Sequence, residues 1–329
     1  MAEQKKRIVV NAFEMTCIGH QSFDLWRHPS SRATEYNTIK YWTDLAKTLE
    51  RGLFDAVFIA DVVGIYDVYK NSAAPAIEGA AQVPVNDPAT QISAMAAVTE
   101  HLGFGVTAAA TFEQPYTLAR RYASLDHLTE GRVGFNVVTS YLPSAAENPG
   151  LPTQIPHDER YEIADEFLDV CYKLWEGSWE DGAVIKDRER GIYADPSKVH
   201  PIGHKGKYFS VPGISLPEPS PQRTPVIFQA GASSRGQQFS GKHAEAVFIS
   251  ALRPDLTRVV TDRIRAAAEE QGRSRDDVKI LAMLSVIVDE TEEKAKAKYE
   301  EYKKYINLDS AQAIIGGWSG VDLSQFDED

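Results

Sequence analysis

Seven short apolar runs, each rich in β-branched or aromatic residues, alternate with segments of helical period, and this alternation limits the fold more than anything else in the chain. The runs are RIVVNAF (7–13), FDAVFIAD (54–61), GFGVTAAA (103–110), RVGFNVV (132–138), TPVIFQA (224–230), EAVFIS (245–250) and KILAMLSVIV (279–288). Between them the spacing predicts helices over 36–52, 87–103, 116–131, 157–177, 234–244 and 253–272, with a last one over 290–305. Asp87 before Pro88 reads as an N-cap with proline at the first helical position. Strands that are apolar along their length and alternate strictly with helices form a parallel sheet covered on both faces. An open doubly wound sheet and an eight-fold β/α barrel both satisfy this. The open sheet places G-x-G-x-x-G after its first strand, where this chain reads NAFEMTCIGH. The expected fold is therefore α/β, a TIM (β/α)8-type barrel, whose reactive side chains gather on the loops after the strands.

A single barrel domain over 1–329 is expected, with two departures from the minimal form. Residues 178–223 form a long connection rich in proline, glycine and charge, a length that suits a lid or binding segment. Only seven strands are legible before the sequence stops at SGVDLSQFDED, which leads to the expectation of a C-terminally truncated barrel lacking its last strand and helix. At 43% hydrophobic and 25% charged, the 329 residues suffice for a large core. The net charge of −12, from 47 acids against 35 bases, argues against nucleic acid or an anionic membrane surface as partner. No run approaches the roughly 18 apolar residues of a membrane span. Two cysteines build no disulfide framework, so a cytoplasmic location is expected.

The strand ends carry a coherent set of groups. Asn11, Cys17, His20, Arg27 and His28 lie in and after the first strand, and Asp61 after the second. Thr107 and Thr111 follow on the third, Asn136, Thr139 and Ser140 on the fourth, and Gln229, Gly231, Ser233 and Ser234 on the fifth. This set is rich in hydrogen-bonding groups and poor in charge. The eight histidines include one H-x-x-x-H pair, His200 and His204, in a proline- and glycine-containing stretch with no C-x-x-C beside it, and G-x-S-x-G and Walker signatures are missing, which disfavours metallohydrolase, serine-triad and phosphoryl-transfer chemistry. QAGASSRGQQF (229–239) leads from a strand into a helix whose bare amides suit an anion, with Ser233 either donating to it or simply capping the helix. HDERY (157–161) has the same two readings, Asp158 as N-cap or His157 and Tyr161 facing an anion one turn apart. Cys171 reads as core, and His127, His200, His204 and His243 as capping or surface residues.

At these residues the sequence resembles a known family. NAFEM, IGH and LWRHP, then LERGLFDAVFIADVVGIYDVY, LDHLTEGRVGFNVVTS, HDERYEIADEFLDVCYKLWEG and PSPQRTPVIFQAG closely resemble the bacterial-luciferase-like monooxygenases. The nearest resemblance is to the branch holding long-chain alkane, dibenzothiophene sulfone and nitrilotriacetate monooxygenases, the alkane enzyme above all. The resemblance implies a two-component enzyme that receives reduced FMN (FMNH2) from a separate NAD(P)H:flavin reductase. It would form a flavin C4a-peroxide with O2 and insert one oxygen atom into an apolar, long-chain alkane-like substrate; relatives suggest a homodimer. It assigns flavin contacts to Asp61, Thr107, Asn136, Ser140, His157, Tyr161, Ala230 and Ser233, with Tyr161 and Ser233 at the phosphate; Gly231 joins them from the strand-end reading. It places Cys17, His20, Tyr66 and Gln82 beside the ring or substrate. Tyr141 stands where the alkane enzyme has a histidine, and Ile314 where it has a second. Two donors are thus replaced, which opens sulfone or other xenobiotic substrates. A deazaflavin-dependent oxidoreductase and a non-catalytic flavin-binding protein are the remaining alternatives.

Overall fold

A computed structural model describes residues 7–231, 233–250 and 253–326. In chain order the strands are β1 (Asn11–Met15), β2 (Ala56–Ala60), β3 (Gly103–Ala109), β4 (Val133–Val138), β5 (Val184–Asp187), β6 (Ile192–Ala194), β7 (His204–Lys205), β8 (Ser210–Val211), β9 (Val226–Gln229), β10 (Ala246–Ile249) and β11 (Lys279–Ala282). The α-helices are α1 (Ile39–Arg51), α2 (Ala74–Glu78), α3 (Ile92–Ala96), α4 (Pro115–Leu128), α5 (Pro143–Glu147), α6 (His157–Tyr172), α7 (Ser234–His243), α8 (Pro254–Glu270), α9 (Glu292–Lys303) and α10 (Leu308–Ser319). Two compact units emerge, one of Met1–Thr99, Ser140–Gln154 and Met283–Asp329, the other of Glu100–Thr139 and Ile155–Ala282.

In the first unit β1 and β2 pair in parallel, Asn11 opposite Ala56 through Met15 opposite Ala60. The first apolar run starts at residue 7, yet pairing begins only where Asp55 fastens the chain. Its Oδ2 accepts the Val10 amide at 2.8 Å and its own amide donates to the Val10 carbonyl at 2.8 Å. Helix α1 shows why an amphipathic segment docks. Trp42, Ala46 and Leu49 recur at helical spacing and are all buried, the Thr38 hydroxyl caps the first turn, and Gly52 ends the last. The helix expected over 87–103 is shorter, Ile92–Ala96 only, because the Asp87 carboxylate accepts the Ala89 amide (2.8 Å) and closes a separate turn first. Helix α10, not anticipated from the sequence, buries Ser310, Ala311, Ala313, Ile314, Gly316 and Gly317.

The second unit holds a parallel sheet with β3 on β4, β4 on β9, β9 on β10 and β10 on β11. Its strands are buried along most of their length, as a sheet covered by helices requires. Helices α7 and α8 close over Val247, Ile249, Ile264, Ala268 and Val278. The final run ends as a strand at Ala282. Beyond it Leu284, Val286 and Val288, in the first unit, are exposed. Residues 178–223 carry two short antiparallel pairs, β5 with β6 and β7 with β8. Two carboxylates fasten this segment to the helices. Glu166 accepts the backbone amides of Lys207, Tyr208 and Phe209 at 2.8–3.0 Å, and fully buried Asp126 accepts the Gln222 amide at 2.8 Å.

Candidate active site

The loops after β1 and β2 bring most of the expected reactive residues together in the first unit. Cys17 bridges to Val85 and Gly19 to Ala81, so the 16–20 loop lies along the 81–86 segment. This places the Gln82 amide nitrogen 3.0 Å from the His20 carbonyl and the Gln82 Oε1 3.0 Å from the Tyr66 hydroxyl. The Tyr66 oxygen lies 2.5 Å from the Tyr141 hydroxyl and 3.3 Å from the Trp318 indole Nε1. Ser144 fixes the loop before Tyr66, accepting the Ile65 amide at 2.9 Å and donating to the Ile65 carbonyl at 3.1 Å. Asp61 stands one residue past β2, and Ser140 follows β4 with a left-handed φ of 54°.

Burial sets the electrostatics of this cluster. It lowers the His20 imidazole to about 4, so the ring is neutral at ordinary pH. Its edge packs on Phe13 at 4.7 Å, and its nitrogens take no hydrogen bond from the described residues. Both nitrogens are open to a ligand, one donating and one accepting. The Cys17 thiol is pushed up to about 12 by burial and then by the Glu14 and Asp61 carboxylates, so it is a protonated, inert surface. Glu14, which the sequence did not single out, is raised to about 7 by burial, relieved only by the Met15 amide.

In the second unit Thr107 and Asn136 are opposed on β3 and β4, and Asn136 Nδ2 donates to Thr107 Oγ1 at 2.8 Å. Among the described residues no group pairs with the buried Asn136 Oδ1, a state that costs about 1–3 kcal/mol unless a ligand donates to it. Gly231 and the start of α7 form a tight cradle with Tyr161. A Cβ on Gly231 would come within 2.8 Å of the Tyr161 hydroxyl and 3.0 Å of Gly236 Cα. Ser233 Oγ accepts the Gly236 amide at 3.0 Å, so it caps α7 and keeps its own proton to donate. Ala230 sits just past β9, and Ala232 lies outside the described residues. The cap of α6 is Pro156 without a side-chain bond, not Asp158, whose carboxylate instead pairs with His157 at 2.7 Å; the His157 ring meets Tyr161 at 5.3 Å.

Replacing Gly231 with alanine is expected to weaken flavin binding at least tenfold, because the added methyl pushes into both Gln229 and the Tyr161 hydroxyl. Fluorescence titration with FMN checks it; unchanged affinity removes the cradle from the site.

Behind the cradle stands a network that no sequence pattern announces. Asp165 on α6 takes Arg235 at 2.5 Å, His243 Nε2 at 2.7 Å and Lys242 at 3.0 Å, and these contacts hold its carboxyl well below the ordinary range against the pull of burial. His243 in turn faces the Tyr172 hydroxyl at 3.1 Å. The expectation that His204 and His243 are capping or surface residues is corrected. Both are buried, His204 against Glu166 and His243 against Asp165. Cys171 is fully buried core, and Ile314 is buried in α10.

Known proteins resemble this chain over most of its length. Residues 20–318 match the luciferase-like monooxygenase family model. The dimethyl-sulfide monooxygenase of Hyphomicrobium sulfonivorans is 60% identical over 99% of this chain and 68% of its own length. The long-chain alkane monooxygenase of Geobacillus thermodenitrificans is 55% identical over 98% and 73%, so the alkane enzyme, expected to be the nearer relative, is the less similar of these two. The crystal structure of a long-chain alkane monooxygenase superposes with a TM-score of 0.97 at 54% identity, covering 98% of this chain and 75% of that one. A riboflavin lyase solved with modified FMN and riboflavin gives 0.92 at 39%, covering 98% and 72%. Among the described residues no helix is long and apolar enough to cross a membrane. With its luciferase-like TIM-barrel-type fold, the chain belongs to the luciferase-like monooxygenase family and is a flavin-dependent monooxygenase.

Proposed function

We propose that this chain is the oxygenase of a two-component system that receives reduced FMN from a separate NAD(P)H:flavin reductase and oxygenates a small apolar thioether. The residues present suit the cofactor. The orphaned Asn136 Oδ1 offers an acceptor to a flavin N–H, and the Gly231–Gly236 cradle with Tyr161, His157, Ala230 and Ser233 offers small backbone and hydroxyl donors to a phosphate. Thr107 orients Asn136, and the family resemblance adds Asp61 and Ser140 as flavin contacts. When bound, FMNH2 supplies the two electrons that reduce O2. The chain's task is to hold the cofactor, keep water out and place one proton-bearing group, for which neutral His20 is the candidate.

The substrate class follows from one observation, the Tyr141 hydroxyl closed on Tyr66 at 2.5 Å. A phenol ring stands where the alkane enzyme is expected to carry a histidine, and Ile314 stands for the second. A bulkier, more apolar wall suits a short molecule. The similarity to the dimethyl-sulfide enzyme points the same way. For a methyl thioether the reaction balances as R–S–CH3 + O2 + FMNH2 giving R–S–CH2OH + FMN + H2O. With a supplied reductase, FMN and NADH, kcat/KM for dimethyl sulfide is expected to exceed that for hexadecane at least tenfold. The reverse order makes the chain an alkane hydroxylase.

A further inference from the structure

Helices α6 and α7 carry five basic side chains between them, His157, Arg160, Arg235, Lys242 and His243. Four already have an acid. Asp165 takes Arg235, Lys242 and His243, and Asp158 takes His157. Arg160 is only 7% exposed, and among the described residues no carboxylate pairs with it and nothing accepts from its buried Nε. Its Nη1 reaches the Thr139 carbonyl at a long 3.4 Å, and that oxygen already accepts the Thr111 hydroxyl at 2.8 Å. Burial pulls the guanidinium below its ordinary range, yet an arginine keeps its proton. A buried cation in this state is costly unless an anion joins it.

The sheet shows where that anion lies. β4 and β9 pair in register as far as Val137 opposite Gln229, so two residues further on Thr139 and Gly231 leave the sheet side by side, one strand spacing or about 5 Å apart. Arg160 meets the first of them, and its chain neighbour Tyr161 meets the second, since a Cβ on Gly231 would stand 2.8 Å from the Tyr161 hydroxyl. The guanidinium thus borders the Gly231–Gly236 cradle from the β4 side. The donors of the cradle, the Tyr161 and Ser233 hydroxyls and the backbone amides, are all neutral, whereas a phosphate monoester carries about 1.5 to 2 negative charges at pH 7. We propose that Arg160 is a phosphate-binding residue of the flavin site, its guanidinium supplying from the end of β4 the positive charge that the cradle itself lacks. The inference rests on the reading of the cradle as the seat of the flavin phosphate and adds the charged partner to it.

The test titrates this chain with FMN and with riboflavin, which lacks only the phosphate, and records the melting temperature of each protein without ligand. The wild type is expected to prefer FMN at least tenfold. Arg160→Gln keeps an amide that can donate to the Thr139 carbonyl and removes the charge, while Arg160→Met removes both and fills a similar length. Each is expected to bind FMN about 10- to 100-fold more weakly, the loss of a hydrogen bond to a charged group, with riboflavin affinity held within about twofold. A structural role would lower both flavins together. Without ligand both variants are expected to melt at or above the wild type, because a buried cation without an acid has been removed. Arg160→Lys keeps a charge and is expected to recover most of the preference for FMN. Neutral variants that weaken both flavins alike, that both melt well below the wild type or that both fail to fold make the guanidinium a structural ion and overturn the proposal, as does an Arg160→Lys protein no better than Arg160→Gln. A preference for FMN that survives in both neutral variants overturns the role of Arg160 alone. A wild type that binds the two flavins equally overturns the reading of the cradle along with it.

Discussion

Replacing His20 with alanine is expected to lower product formation about 100-fold while reduced flavin continues to be consumed as hydrogen peroxide. The expectation comes from three features of the residue. Its carbonyl is held by Gln82 and its ring edge rests on Phe13, so the imidazole is fixed in place. No hydrogen bond from the described residues occupies its ring nitrogens. Burial keeps it neutral down to about pH 4, so it carries one N–H to donate and one lone pair to accept across the working range. The same shift means that activity shows no inflection from His20 between pH 5 and 8. Product analysis with a supplied reductase, alongside a thermal melt and an FMN titration, checks this. Full product yield in a folded, flavin-binding variant removes His20 from the chemistry.

Glu14→Gln is expected to stabilise the protein by about 2–3 kcal/mol at pH 8 and to change it little at pH 4. The folded carboxyl titrates near 7, above its ordinary value of 4.5, so between those values the folded state binds more protons than the unfolded chain. Stability from this group is therefore fully present below about pH 4.5 and is lost as pH rises through 7. His20 works in the opposite sense. Its folded value of about 4 lies below 6.5, the unfolded chain binds more protons in between, and stability from it rises with pH across that window. The two slopes nearly cancel in the wild type. Glutamine at position 14 unmasks the histidine slope, and urea midpoints at pH 4, 6 and 8 read it directly. A variant whose midpoints parallel the wild type at all three would show that Glu14 ionises freely in the folded protein.

The strands were legible because an apolar run bounded by turn residues has few alternatives once helices alternate with it. Their edges were less so. The run 279–288 reads as one strand, yet only Lys279–Ala282 pairs, since alternation in sequence does not supply a neighbour for Leu284, Val286 and Val288. Helix α10 was hidden by Gly316 and Gly317, which look like loop but are required by close approach of Val321 and the Tyr66 ring. The residues proposed for the site that stand at strand ends, such as His20, Asn136 and Ser233, are visible in the sequence as polar groups closing apolar runs. The site was not readable where partners lie far apart in sequence. Trp318 meets Tyr66 across 252 residues, and His243 meets Asp165 across 78. Glu14 was passed over because alternation within a strand says nothing of whether a carboxylate finds a partner.

In the proposed function Tyr161, Gly231 and the start of α7 grip the phosphate of a reduced flavin. Anaerobic titration with FMNH2 and with reduced riboflavin, which lacks only the phosphate, tests it most directly. FMNH2 is expected to bind at least tenfold tighter than reduced riboflavin, with the difference lost in Gly231→Ala. Equal affinities for the two flavins, or no binding of FMNH2, would contradict it.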